Sequence, residues 1–390
     1  HMKRAWPMTI AAILAGIAIA VAQNKVAPCL GVLQAAFGLD LSAVGWLSSI
    51  FSVMGILMAC PAALFTNHLG PKNACVLSLV ATIVGGVIGL ISDSFPILLF
   101  SRIIEGMGAS LIAVAVPTII AITFPPERRG LPTGLWSSWQ FIAQALCFFF
   151  GVAITDAFGW QGVWWSGIIF ALVAVILTLT ILRLPKQKTF ESEKPDIGSL
   201  GRTAGQRPVQ AICFSMFCFC FSCFGFVTWA PTCWAETLHI NLEQANWFIS
   251  LFAIISIPAV VLVGWLIDRV SHRRVSVISC LGYGVLVSAA FLMPNRAAMI
   301  PYTLFYPFFE GAVSTSLWTI VPQTARRAQD TSSAIALFNM ASSCGMLAGP
   351  PVAGAIIQAF GWRAMVFPLI LAMSASALAA AQAKERVSGT

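Results

Sequence analysis

The chain has 390 residues, 58% of them apolar and only 9% charged, with a formal net charge of +8. A mean hydropathy of +0.88 excludes a soluble globular protein. The basic excess would suit a nucleic-acid partner, but the placement of the cations gives another reason for it.

Apolar runs long enough to cross a bilayer core of about 30 Å recur along the whole sequence. Twelve spans are predicted, at about 6–30, 43–65, 73–92, 96–122, 131–154, 162–183, 209–233, 245–267, 275–293, 298–321, 332–357 and 363–383. The first run is long and lacks a committing small-residue cleavage site, so no removed signal peptide is expected. With the N-terminus in the cytoplasm, eighteen of the 22 Lys and Arg residues fall in inner loops. Arg296 and Arg363 fall outside, while Lys25 and Arg102 lie within spans. That asymmetry predicts cytoplasmic termini and a multi-pass protein of the cell membrane, and it removes the argument for nucleic acid.

One long polar stretch, Leu184 to Pro208, carries eight charged residues and is read as a cytoplasmic linker unable to bury a core. It divides the chain into an N-terminal bundle, 1–183, a linker, 184–208, and a C-terminal bundle, 209–390. The two halves repeat each other. Pro96-Ile-Leu-Leu-Phe-Ser-Arg-Ile-Ile-Glu105-Gly106 returns as Pro301-Tyr-Thr-Leu-Phe-Tyr-Pro-Phe-Phe-Glu310-Gly311. Ala27-Pro28 matches Ala230-Pro231, and Phe158-Gly159-Trp160 matches Phe360-Gly361-Trp362. The stretch from Leu39 to Trp46 matches that from Ile240 to Trp247. Six spans per half let both copies enter the membrane from the same side.

In each copy the glutamate stands nine residues after the proline, roughly 13 Å into the bilayer at about 1.5 Å per residue. An ionisable group at that depth marks a functional site by default. Glu105 and Glu310 are therefore candidates for proton coupling. Arg102 shares a helix face with Glu105 and can pair with it, either to sense a substrate charge or only to neutralise it. Glu310 has Pro307 where Arg102 would stand, so it is either protonated at rest or paired elsewhere.

Lys25 follows Gln23-Asn24 and precedes Pro28, with Thr228 as its repeat counterpart. It snorkels if the helix ends near residue 30 and contacts an anion if the helix runs on to Phe37. Asn24, Trp136, Gln140, Tyr306 and Asn339 are further candidate substrate contacts. Trp136, Gln140 and Gln144 recur every four residues and share one face, which suits either a binding surface or a helix–helix seam. Trp46, Trp160, Trp247 and Trp362 read as interfacial belt residues. The eleven cysteines lie almost wholly in apolar spans without His partners, so neither disulfides nor a metal site is expected.

The loop from Gly264 to Arg274 reads Gly264-Trp-Leu266-Ile-Asp268-Arg269-Val-Ser-His-Arg273-Arg274. It resembles the Gly-x-Leu-x-Asp-Arg signature of the major facilitator superfamily, repeated between spans two and three and between eight and nine. The first-half copy, Ala63 to Lys72, has Asn67 for Asp and His68 for Arg. Arg102-Ile-Ile-Glu105-Gly106-Met-Gly108 resembles the family's fourth-span motif, and Gly345-Met-Leu-Ala-Gly349-Pro350 its Gly-x-x-x-Gly-Pro motif, here in span eleven. Gln23-Asn24-Lys25-Val26-Ala27-Pro28 near the end of the first span, with Gly45-Trp46-Leu47-Ser48-Ser49 at the start of the second, resembles the cyanate-permease-like branch.

The resemblance implies an all-α integral membrane protein of 12 transmembrane helices, arranged as two six-helix bundles with pseudo-two-fold symmetry. It also implies secondary transport by alternating access, with Asp268, Arg269, Arg273 and Arg128 as a cytoplasmic gate. No Gly-x-x-x-x-Gly-Lys-Ser/Thr loop is present to bind ATP, so an ion gradient is the expected energy source. Two intramembrane cations point to a small anionic, carboxylate-like solute, and the two glutamates to protons as coupling ion. The alternative is proton-coupled efflux of drugs or other cations, with the glutamates acting directly on the cation. No catalytic set indicates an enzyme, no cofactor is expected, and a monomer in the lipid bilayer is the expected form.

Overall fold

The computed structural model describes residues 2–59, 61–124, 130–183, 197–267, 272–325 and 330–382. Among these, helix is the only regular secondary structure. That is what a bilayer requires, because a helix satisfies its backbone polar groups within one segment.

Nine helical stretches of the described residues are long and apolar enough to cross a membrane. They include Leu135–Ile181, which covers both the fifth and sixth predicted spans, and a shorter apolar stretch, Leu41–Leu57, lies at the second. With Met299–Thr324 at the tenth, the helices are consistent with twelve crossings.

The chain packs as two compact units, residues 1–39 with 50–194, and residues 40–49 with 195–390. In the first unit the helices are α1 (Met2–Asn24), α2 (Leu30–Phe37), α4 (Val53–Leu57), α5 (Pro61–Leu69), α6 (Pro71–Leu90), α7 (Phe95–Thr123), α8 (Gly130–Ser137) and α9 (Trp139–Ile181). In the second they are α3 (Leu41–Ser49), α10 (Ile197–Ala204), α11 (Arg207–Thr237), α12 (Leu242–Ile267), α13 (His272–Ala289), α14 (Met299–Thr324), α15 (Thr331–Phe360) and α16 (Val366–Gln382).

Several predicted boundaries change for local reasons. The first span is broken after α1 by a 3-10 turn at Ala27–Cys29, because Pro28 has no N–H to continue the ladder, and the chain resumes as α2 up to Gly38. The second predicted span is three helices with a 3-10 turn at Ile50–Ser52, and Pro61 opens the third of them. Spans five and six form one run bent at Gly159, whose φ of 70° and ψ of −176° suit glycine. Its repeat counterpart Gly361 adopts φ 80° and ψ 175°, so the repeated Phe-Gly-Trp carries the same backbone turn twice. Within the stretch read as a linker, α10 forms and packs on α11 and α15 with Thr203 buried.

In the first unit α7 packs on α6 and α1, and α9 on α1 and α6. Small residues set these separations. A Cβ on Gly85 would stand 2.6 Å from Glu105 Cγ, and one on Gly108 would stand 2.5 Å from the Ser78 carbonyl oxygen. Gly106 abuts the Phe51 carbonyl in the same way. The glycines of the Glu105-Gly106-Met-Gly108 motif therefore serve helix approach.

In the second unit α11 packs on α15 through Gly345 and Gly349, where a Cβ on Gly349 would stand 2.5 Å from the Phe221 carbonyl oxygen. Gly349→Val is expected to destabilise this seam by about 1–3 kcal/mol through overpacking, read as a lower melting temperature of the purified protein. An unchanged melting temperature would show that the seam can spread at no penalty.

Candidate functional site

The last turn of α1, the middle of α7 and the length of α9 bring one charged cluster together inside the first unit. Lys25 is 1% exposed, Arg102 and Glu105 0%. Lys25 Nζ donates to Glu105 Oε1 at 2.5 Å, and Arg102 Nη1 donates to Glu105 Oε2. Each carboxylate oxygen thus faces one cation. The ammonium also lies 4.4 Å from the centre of the Trp164 ring, and the guanidinium 5.0 Å from that of Phe51. Both are cation–π distances.

Arg102 does more than pair. Its Nη1 donates to the Ala22 carbonyl at 2.6 Å and its Nη2 to the Gln23 carbonyl at 3.0 Å. These are among the final carbonyls of a helix, which have no intrahelical donor once the chain turns. The planar fork of arginine suits two parallel acceptors and a carboxylate at once. The break before Pro28 and the arginine on α7 are therefore one device, fixing the backbone that carries Lys25.

A chain of amides extends the cluster. Gln140 Nε2 donates to Gln23 Oε1 at 3.0 Å, and Asn24 Nδ2 donates to Gln140 Oε1 at 3.4 Å and to the Ala20 carbonyl at 2.9 Å. Trp136 takes another place. It stacks on Trp139 at 4.5 Å and rests against Gly16, a helix–helix seam on α1.

The second unit repeats the acid without the cations. Glu310 is 7% exposed and accepts from Cys223 Sγ at 3.3 Å and from Ser256 Oγ at 3.2 Å. Among the described residues it forms no ion pair. Pro307 and Thr228 occupy the repeat positions of Arg102 and Lys25, so the two charged partners of Glu105 have no equivalent there. The chain's three tyrosines, Tyr283, Tyr302 and Tyr306, are all buried in this neighbourhood. The Tyr283 and Tyr306 hydroxyls are 3.0 Å apart, and the Tyr306 ring packs 4.7 Å from Phe226 and 5.1 Å from Phe252. The buried Tyr302 hydroxyl has no hydrogen-bond partner among the described residues.

Of the residues singled out in the sequence, Lys25, Asn24, Arg102, Glu105 and Gln140 come together in the first unit, and Tyr306 and Glu310 lie together in the second. Asn339 is exposed on α15 and joins neither cluster. Arg273 is exposed in the first turn of α13, whereas Asp268, Arg269 and Arg128 lie outside the described residues. Trp160, expected at the membrane interface, is 7% exposed and packs edge-on against Trp164 at 5.3 Å and near Phe37. Trp164, Gln23, Cys223 and Ser256 were not recognised from the sequence. Gln23 carried a signal, being next to Asn24 and Lys25, and Cys223 stood among four cysteines crowded into one segment.

The sequence profile of the Major Facilitator Superfamily matches residues 8–328, and a second match covers 212–386. The lincomycin resistance protein LmrB of Bacillus subtilis is 25% identical over 195 residues, 50% of this chain and 40% of that protein. Monosaccharide-sensing protein 1 of Arabidopsis thaliana is 33% identical over 125 residues, 31% of this chain and 16% of that protein. The alignments thus span less than half the length of these curated relatives. Among solved structures, a bacterial homologue of the human lysosomal transporter Spinster, in an inward-facing and occupied conformation, gives a TM-score of 0.71 at 14% identity. That similarity covers 96% of this chain and 93% of the other, and it is one of fold.

Proposed function

This chain belongs to the Major Facilitator Superfamily, and we propose that within it the protein is a secondary active transporter of a small anionic solute, driven by protons through alternating access. The observation that carries the reading is the buried cluster of two cations, Lys25 and Arg102, against one carboxylate, Glu105. A buried charge needs a partner, and this cluster is short of one negative charge. An anion supplies it.

Within this reading Lys25 contacts the solute, with Asn24 and Gln140 beside it, and Arg102 holds the lysine's backbone in place. Glu105 offsets one of the two positive charges. Glu310, which accepts from the Cys223 thiol and the Ser256 hydroxyl and has no ion-pair partner among the described residues, is the proton carrier. The arginine-rich inner loops support cytoplasmic termini in a cell membrane, and Asp268, Arg269 and Arg273, which lie in the Gly264 to Arg274 motif, are assigned with Arg128 of another inner loop to a cytoplasmic gate.

The test is a thermal-shift screen of purified protein against small carboxylates, inorganic anions and lipophilic cations. A ligand at 100 times its Kd stabilises the native state by about 2.7 kcal/mol. Anions are expected to stabilise the wild type and to lose the effect in Lys25→Ala. Stabilisation by cations alone, lost in Glu310→Gln and kept in Lys25→Ala, would favour the second reading. That reading, proton-coupled efflux of cations or drugs, draws on the lincomycin-resistance relative and on an acid set near aromatic rings with no cationic partner among the described residues.

A further inference from the structure

Resting on the anion reading above, we infer that Glu105 sets the charge of the transported solute: the site of the first unit takes a monovalent anion and discriminates against a dianion of the same skeleton. Among the described residues of that unit, Lys25, Arg102 and Glu105 are the buried charged side chains. Ionised, they sum to a single positive charge. One monovalent anion brings the cluster to neutrality with no proton taken up by Glu105. A dianion leaves one negative charge unbalanced out of water, where such a charge is strongly penalised.

The geometry assigns the members of the cluster different freedoms. Arg102 is committed to two backbone carbonyls and to Glu105, so it stays as the fixed half of the positive charge. Lys25 has three ammonium hydrogens, one of them directed at Glu105, and the Trp164 ring lies on another side. An arriving anion meets Lys25, and Glu105 decides how much positive charge is left for it. Glu105 is thus a specificity-determining residue even though it repels the solute.

The experiment uses the full chain in detergent, at a pH where every free carboxyl of the probes is ionised. Two series are compared by thermal shift and by competition: dimethyl succinate, monomethyl succinate and succinate, then dimethyl terephthalate, monomethyl terephthalate and terephthalate. Each series holds the skeleton and steps the charge from zero to minus two. In the wild type the monoester is expected to bind best, ahead of the dianion by on the order of 100-fold, as a buried unbalanced charge implies. Glu105→Gln raises the cluster to two positive charges, and its preference is expected to move to the dianion.

A wild type that binds the dianion as well as the monoanion, or a folded Glu105→Gln with an unchanged order, overturns the inference and leaves the anion reading standing. Stabilisation by none of the anionic probes, with cations effective instead, overturns both. Should Glu105→Gln not fold, the wild-type series decides by itself, because the peak at a single negative charge is the claim.

Discussion

Arg102→Ala is expected to lower stability by about 3–5 kcal/mol and to abolish anion binding. The stability loss comes from three acceptors that the guanidinium serves at once: the carbonyls of Ala22 and Gln23, and one oxygen of Glu105. Leaving a buried acceptor without a donor costs about 1–3 kcal/mol, more where it is charged. The total is moderated because Lys25 still neutralises Glu105, so no isolated charge remains. The binding loss has a separate cause, since the remaining pair sums to zero. Arg102→Lys restores the charge without the planar fork. It is therefore expected to recover some anion binding while leaving most of the stability loss in place. Melting curves with and without anion separate the two effects. An Arg102→Ala protein melting as the wild type does would mean that the end of α1 is held by something other than this clamp.

Glu310→Gln is expected to abolish proton-driven accumulation while sparing binding and exchange. The amide is nearly isosteric, and its carbonyl oxygen can still accept from Cys223 or Ser256, so the fold should persist. What it cannot do is gain and lose a proton. One proton per solute across one pH unit supports about tenfold accumulation, the equivalent of about 1.4 kcal/mol. Reconstituted Glu310→Gln should therefore equilibrate labelled solute to a ratio near one under the same gradient. Counterflow, driven by solute on the far side, should continue. Undiminished accumulation in this variant would remove Glu310 from the coupling step and return attention to Glu105.

The contrast between the two glutamates is the main functional content of the repeat. Both copies keep the acid at the same distance from the opening proline, yet the first surrounds it with Lys25 and Arg102 and the second with a thiol, a hydroxyl and aromatic rings. The two halves of one design have diverged in the charge partners of this acid. Under the proposed function the first half serves the solute and the second the coupling ion.

Much of the fold was legible because a bilayer imposes rules that act locally. An apolar run must reach a certain length, its backbone must be satisfied within the segment, and cations mark the inner side. The helices accordingly fall on the predicted segments, and the paired turn at Gly159 and Gly361 followed the repeated Phe-Gly-Trp. Predictions failed where a helix is interrupted from within. Pro61 marks one break in the second span, whereas the 3-10 turn at Ile50–Ser52 and the short α10, packed on α11 and α15, carry no comparable local signal.

The site divides in the same way. The sequence by itself marked Glu105, Arg102, Lys25 and Glu310, because any ionisable group deep in an apolar span is conspicuous. It left open whether Lys25 snorkels and whether Arg102 serves Glu105 alone. Tertiary structure decided both, burying the lysine against Glu105 and Trp164 and spending the arginine on the carbonyls of α1. The physical reason is one of range: membrane insertion is decided within some twenty neighbouring residues, whereas Lys25 and Glu105, 80 residues apart in the chain, meet only once the helices have packed.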